Sequence, residues 1–466
     1  MSKILIALTA CVSLAAPALA ADKPVDRAKW YVGDYPTTDD LRRLPIPKGY
    51  GQPNDVILIR NARLFDSTGA APRAANILVE HGHITKISAA SATDAAPKDA
   101  QVIDAGGKTV MPGLIDLHTH LTYGDGSDGA GPVPEDDMPT ATLRGQERLR
   151  YYVESGITSV RDVASTGMAP YVLKDWSAQG RIPASRVFPA GQLITGIGGH
   201  GTEGFGHTAP TYPDSAIYEA NGAEEFRKAV RIQFKRGADL IKLGSHFSPD
   251  EVKAAVDEAH NLGLKVTVDS ETIFTEMAVQ AGVDCVEHPL PRSDETVKMM
   301  AAKGICSDMT LVPYQYINVG GGYMGSTSRR FTETDAVNLA MAKKLQAAGV
   351  KIGIGTDLVV HWFRYLPDAY IQELRNYRLL DHTAAEALVA ATRTNSEILG
   401  MSDRLGTIET GKLADIIIVD GHPDEKLEDL AKVDTVLVNG RIVVRDGHVV
   451  IARHPEVKAP YSTAPK

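Results

Sequence analysis

His118-Thr119-His120 closes the apolar run LIDLHTHL, which reads as a β-strand. Side chains at i and i+2 on a strand point to the same side. Both imidazoles therefore face one way, spaced to share a single metal ion. An H-x-H triplet alone is weak evidence. His81-Gly82-His83 has the same spacing but falls in a hairpin turn, where solvated histidines are the better reading.

Further candidates close other strand-like runs. Lys242 lies inside ADLIKLGS, where a bare ammonium would be costly. Burial disfavours the charged form, and a neutral amine can take up CO2 as a carbamate that would bridge two metals. The plainer alternative is a lysine paired with a carboxylate. His288 ends DCVEHP and competes with a core histidine bonded to a carbonyl. Asp357 ends KIGIGTDL and competes with a helix N-cap. Each alternative is respectable singly; together, at the ends of strands one, four, six and eight, they are harder to hold.

The elements that must position these groups form three blocks. From about Val56 to Pro112, strands alternate with tight polar turns. From about Leu405 strands return, in GTIETGKLADIIIVDG and VDTVLVNGRIVVRDGHVV. Between them, eight strand-like segments run from LIDLHTHL through ITSVRDVA, RVFPAGQLI, ADLIKLGS, LKVTVDSE, DCVEHP and ICSDMTLV to KIGIGTDL. Helical patterns such as AEEFRKAVRIQFKRG separate them, several ending at Gly. The expected fold class is α/β: a (β/α)8 TIM barrel over residues 113–404, with sites at the C-terminal ends of its strands. Residues 21–112 and 405–466 would form a small β-sandwich from both ends of the chain.

GKTVMPGLIDLHTHL, GITSVRDVAS, GADLIKLGS, AGVDCVEHP and IGIGTD resemble the amidohydrolase superfamily, in its imidazolonepropionase-like and Xaa-Pro dipeptidase-like branch. The closing run AAEALVAATRTNSEILGMSDRLGTIETGKLADIIIVDG is similar to it too. The resemblance implies a binuclear centre, usually zinc. His118, His120 and Asp357 would hold one ion; His288 and a strand-five histidine would hold the other; carbamylated Lys242 would lie between. One position departs from the pattern, because strand five reads Val266-Thr267-Val268-Asp269-Ser270-Glu271. Asp269 stands at the histidine position. It can bind the second metal through oxygen, which suits manganese better than zinc. Glu271 can assist, or the second site is weak or empty. A retained but altered site is the expectation.

Such a centre lowers the pKa of bound water from about 15.7 to about 7, making hydroxide available to attack a carbonyl. Asp357 is the candidate proton shuttle. His200, in TGIGGHGTEGFGH, resembles the G-G-H-G loop of the family and is the candidate to steady an oxyanion. His246, Tyr314 and His361 are candidates for substrate binding, with Tyr316 and Arg364 nearby, against a default of loop solvation. The stretches Asp125–Asp137 and VGGGYMGSTSRRF are candidate lids. The expected substrate is a dipeptide, N-acyl amino acid or cyclic amide. The alternative is a lactone or ester hydrolase, or a metal-assisted lyase, on the same scaffold.

The 466 residues carry a net charge of -9 without a basic cluster, which argues against a nucleic-acid partner. Homo-oligomer formation is left open. Beyond the first residues nothing is apolar for long enough to span a bilayer. The start, MSKILIALTACVSLAAPALA, reads as a signal peptide with an A-x-A site, implying a secreted or periplasmic chain. Leu8-Thr9-Ala10-Cys11 resembles a lipoprotein box, but the apolar stretch before it is short. Cleavage after Ala20 leaves Cys285 and Cys306, on neighbouring predicted strands. That placement would permit a bridge, but two buried free thiols are the expectation. N-terminal sequencing of the exported protein should begin near Ala21; an intact Met1 on exported protein would contradict the signal peptide.

Overall fold

The computed structural model describes residues 55–92, 96–124, 137–202, 214–319 and 333–451. The candidate lids lie outside them, apart from Asp137 and Val319, as does the loop from Glu203 to His207. The amino-terminal segment with the predicted signal peptide also lies outside. No described helix is long and apolar enough to cross a membrane.

Both ends of the chain build one mixed nine-stranded sheet. Its first strands are β1 (Val56–Leu64), β2 (Arg73–Glu80), β3 (His83–Ala89), β4 (Gln101–Asp104) and β5 (Thr109–Pro112). β1 to β3 pair antiparallel, and the β2–β3 turn is His81-Gly82, both at positive φ, as a two-residue hairpin turn requires. His81 and His83 are exposed there, as expected of solvated turn histidines. β1 also pairs parallel with β4 at its start and with β5 at its end. A buried cluster including Ile57, Ile59, Ile77, Val79, Ile416 and Ile418 fills this sheet.

The middle of the chain supplies parallel strands. β6 (Leu114–Thr119), β7 (Ile157–Asp162) and β8 (Arg186–Pro189) form one sheet. β9 (Leu193–Gly196), β10 (Ile217–Ala220), β11 (Leu240–Gly244), β12 (Lys265–Asp269), β13 (Cys285–Val286), β14 (Cys306–Asp308) and β15 (Ile352–Gly353) form another, in the order β10-β9-β11-β12-β13-β14-β15. The segment RVFPAGQLI is thus two strands, β8 and β9, and β10 is an additional short strand. The terminal sheet is completed by β16 (Ile416–Val419), β17 (Val433–Val438), β18 (Arg441–Arg445) and β19 (His448–Val449), with β16 antiparallel to β5.

Isolated main-chain bonds span both junctions between the parallel sheets. Asp239 N donates to Pro189 O at 2.9 Å, ahead of β11. At the other junction, Leu117 N donates to Ile354 O at 3.0 Å and Asp357 N to His118 O at 2.8 Å. Side chains reinforce this second seam. Asp116 accepts from the main-chain N–H groups of His118 (3.0 Å) and Thr356 (2.9 Å) and from the Thr356 hydroxyl. Asn395 donates to Ile115 O (2.7 Å) and Ile354 O (2.9 Å), and accepts from Ile354 N (2.9 Å). Gly355 passes so close to β6 that a Cβ would lie 2.8 Å from His118 Cβ, so no larger residue fits.

The thiols differ from expectation. Cys285 and Cys306 are joined by a disulfide. They are a registered pair on adjacent parallel strands, β13 and β14. Register is a relation between two segments, and the periodicity of each segment alone does not contain it.

Asn395→Leu should cost about 2–4 kcal/mol, because it strands buried main-chain groups at the seam. Urea unfolding measures this; a change under about 0.5 kcal/mol, the range of an ordinary surface substitution, would contradict the role given to Asn395.

Candidate metal centre

The end of β6 and the turn after β15 meet in a cluster of candidate ligand atoms, two buried imidazoles and the partly buried Asp357 carboxylate. Thr119 points away from this cluster, its hydroxyl accepting from Tyr152 OH at 2.7 Å. On the opposite side, the Nε2 atoms of His118 and His120 lie 3.3 Å apart. Asp357 Oδ1 lies 3.5 Å from His118 Nε2 and 3.1 Å from His120 Nε2. Ligands at about 2.0–2.1 Å around a tetrahedral ion stand about 3.3–3.4 Å from one another. The three atoms thus form a triangle of the size one zinc ion requires.

The triangle is held in place from behind. Asp357 has φ 47° and His288 φ 59°, a region non-glycine residues seldom adopt. Arg148 donates to the carbonyls of His120 (3.0 Å), Leu121 (3.1 Å) and Val360 (3.1 Å), tying the turns after β6 and β15 together. His118 Nδ1 lies 2.7 Å from Glu287 Oε2 and 3.3 Å from Asp308 Oδ2. His120 Nδ1 lies 3.3 Å from Ala164 O. With Nδ1 donating in each case, both Nε2 atoms face the cluster, the arrangement of metal-ligating histidines once each ring is neutral.

Electrostatics follow from this packing. Burial and Lys242 push the His118 imidazole down, but Asp357, Glu287 and Asp308 prevail and raise it to about 9. Burial lowers His120, with Asp357 opposing. Burial would raise the Asp357 carboxyl, yet His118 and His120 hold it below the usual range. Burial also drives His288 down to about 4, leaving it neutral at pH 7.

The second group of candidates gathers around Asp269. Its Oδ2 lies 3.1 Å from His288 Nε2 and 3.0 Å from His200 Nε2. His288 Nδ1 bonds the Thr310 hydroxyl at 2.6 Å, and the His288 ring centroid lies 4.8 Å from that of His118. Lys242 is fully buried, and its Nζ has no hydrogen-bond partner among the described residues. An orphaned buried amine beside these ligands fits a group that is completed by something further. Glu271 is the N-cap residue of the helix Thr272–Ala281.

The peripheral candidates divide. Tyr314 is buried, with its ring edge-on to His288 at 5.8 Å. His246 is exposed; its ring stacks on Phe274 at 4.9 Å and its Nδ1 bonds Ser245 Oγ at 3.0 Å. His361 lies in the 3-10 turn Val360–Tyr365, edge-on to Tyr365 at 6.0 Å, and Arg364 is exposed in the same turn. Tyr316 packs against Trp362 and Tyr365. Of the two glycines before His200, Gly198 has φ 76° and Gly199 serves close packing. A Cβ on Gly199 would fall 2.5 Å from Ser245 O.

Sequence reasoning missed Glu287, Asp308 and Arg161, which lie fully or almost fully buried behind His118. The signal was present. Arg161 in ITSVRDVA and Asp308 in ICSDMTLV are ionic groups inside apolar strands, the same feature that marked Lys242.

The model of the amidohydrolase family matches residues 109–443, more than half of the chain. The chain belongs to that family. Among its relatives, the imidazolonepropionase of Geobacillus sp. (strain WCH70) is 24% identical over 385 residues, covering 75% of this chain and 84% of the relative. The ochratoxinase of Aspergillus niger is 27% identical over 359 residues, covering 69% and 71%. A solved prolidase complexed with N-methylphosphonate-L-proline is 27% identical with a TM-score of 0.74, covering 84% of this chain and all (100%) of that one. The family and these relatives support hydrolysis of amide or peptide bonds by this amidohydrolase.

His118, at about 9 without metal, carries a proton at pH 7 that it must lose before binding an ion. Zinc binding at pH 7 should therefore release about one proton per ion, a release that fades as pH rises through 9. Calorimetry in buffers of different ionisation enthalpy measures it. Heats identical across buffers would contradict the raised value.

Proposed function

We propose that this chain is an exported, metal-dependent amidohydrolase that cleaves an amide or peptide bond in a small peptide-like molecule. The observation that carries the reading is the triangle of His118, His120 and Asp357, which has the dimensions of one zinc site. The parallel strands are read as a (β/α)8 barrel, supported by the main-chain bonds at both junctions. The terminal strands are read as its accompanying β-sandwich. The amino-terminal sequence, read as a signal peptide, would direct export, and the Cys285–Cys306 bridge suits an oxidising compartment.

His118, His120 and Asp357 would hold the first ion, and His288 with Asp269 a second. Zinc is the expected metal, with manganese suited to the oxygen-rich second position. Lys242 would contribute as a carbamate, which accounts for a buried amine with no hydrogen-bond partner among the described residues. Metal bound here would supply Lewis acidity toward water and a carbonyl group.

The residues divide the remaining work. Asp357, held ionised by two imidazoles, takes the proton of the attacking water and delivers it to the departing nitrogen. His200 Nε2, beside Asp269, is the donor for a developing oxyanion. Tyr314 walls the site next to His288, while the more exposed His246 and His361 are the candidates for contacting the substrate's remaining groups. The relatives act on different molecules, so the choice among dipeptides, N-acyl amino acids and cyclic amides falls to these outer residues.

Elemental analysis of purified protein should find about one to two transition-metal ions per chain. Chelation should abolish turnover on a panel of dipeptides, N-acyl amino acids, cyclic amides and lactones. His120→Ala should keep its circular dichroism and lose activity by at least about a hundredfold. Activity indifferent to chelators, or an active His120→Ala protein, would sink the metal reading. Turnover confined to lactones would replace the amide reading with the ester one.

A further inference from the structure

The carboxylate facing His118 is itself held by a buried arginine. Arg161, on β7, is 3% exposed. Its Nη2 lies 2.7 and 2.9 Å from the two oxygens of Glu287, and 3.4 Å from Asp308 Oδ2. Its Nε donates to the carbonyl of Leu117, the residue before His118. The Glu287 carboxylate also accepts from the Thr267 hydroxyl, and its Oε2 meets His118 Nδ1. Arg161 borders a cavity of about 350 Å3 that Asp239, Lys265 and Lys351 also line, at or just before the first residues of β11, β12 and β15. It therefore approaches the cluster from the end of the sheet opposite the ligands.

We propose that Arg161 is a positioning residue for metal binding: it fixes Glu287, which orients His118 so that Nε2 faces the ion. The inference rests on the metal reading above. A histidine ligand is aligned by the acceptor on its other nitrogen, and such partners typically change metal affinity 10- to 100-fold. Glu287 can serve as that acceptor only if its own rotamer is fixed. Arg161 fixes it through a guanidinium nitrogen placed between both carboxylate oxygens, while Nε ties the same side chain to the strand that carries His118. A lysine could keep the charge but not both of these bonds at once. The competing role is plain neutralisation of a buried carboxylate, which would stabilise the fold without any particular effect through His118.

The test is a cycle on metal-stripped protein. Zinc affinity is measured by competition with a chromophoric chelator for the wild type, Arg161→Met, Glu287→Gln and the double variant, with thermal unfolding of each. Both single variants should bind zinc about 10- to 100-fold more weakly. The double variant should lie close to Glu287→Gln, because the effect of Arg161 on His118 runs mainly through Glu287. Arg161→Lys should fall between wild type and Arg161→Met. If Arg161→Met does not fold, the double variant, which removes both buried charges, still supplies the comparison with Glu287→Gln. Wild-type affinity in Arg161→Met, or losses that multiply in the double variant, would overturn the proposal and leave the metal reading intact. A wild-type chain that binds no zinc would overturn both.

Discussion

Asp116 receives three hydrogen bonds where β6 meets the turn after β15: two from main-chain N–H groups and one from the Thr356 hydroxyl. It is fully buried, and burial lifts its carboxyl to about 6 against those bonds. Every ligand of the first candidate site depends on this seam. His118 and His120 arrive at the end of β6 and Asp357 in the turn after β15, from positions more than two hundred residues apart in the chain. β6 and β15 share no continuous ladder, so side chains supply what the ladder lacks. Asn395 performs the same service one step earlier along the strands, and Gly355 permits the close approach. A ligand triangle with sides of 3.1–3.5 Å tolerates little slippage between its two supports.

Beneath the ligands lies a set of ionic groups that only mutual compensation makes tolerable. Arg161, Glu287 and Asp308 are all buried. Two carboxylates side by side cannot both ionise cheaply. Burial and its neighbour Glu287 push Asp308 up; Glu287 is held well below its usual value, since Arg161 and Lys242 outweigh its burial. Replacing such a set by apolar residues would often be neutral or stabilising for a fold. A function for the charges in orienting His118 explains their presence better than a contribution to stability does.

Much of this was legible in the sequence because it is local. Strand alternation put His118 and His120 on one side. The strand ends named Lys242, His288 and Asp357 as a group, the family resemblance added Asp269, and the structure brings Asp357 to the two histidines and Asp269 to His288. The paired terminal segments were legible from their turns. What was not legible depends on register between distant strands. Cys285 stands opposite Cys306 only because β13 and β14 pair at that offset. Arg161 reaches Glu287 from another sheet, so its partner could not be read from ITSVRDVA. His200 shows the same limit: its loop was recognisable, but its contact with Asp269 belongs to the folded chain.

The two candidate positions differ in chemical character, and the difference traces to one residue. The first joins two neutral nitrogen donors to one carboxylate, a set zinc favours. At the second, the resemblance implies a histidine where this chain has Asp269. The exchange adds a negative charge and replaces a nitrogen by an oxygen. On the proposed reading a Lys242 carbamate adds another, so the second position becomes harder and more oxygen-rich than the first. An ion there would have more of its charge neutralised by the protein, and would polarise a carbonyl less. Asp269 is also shared, since its Oδ2 contacts both His288 and His200. Binding an ion through that oxygen would loosen its hold on His200. On the proposed reading, the aspartate that would make the second ion a weaker Lewis acid would also free His200 toward substrate.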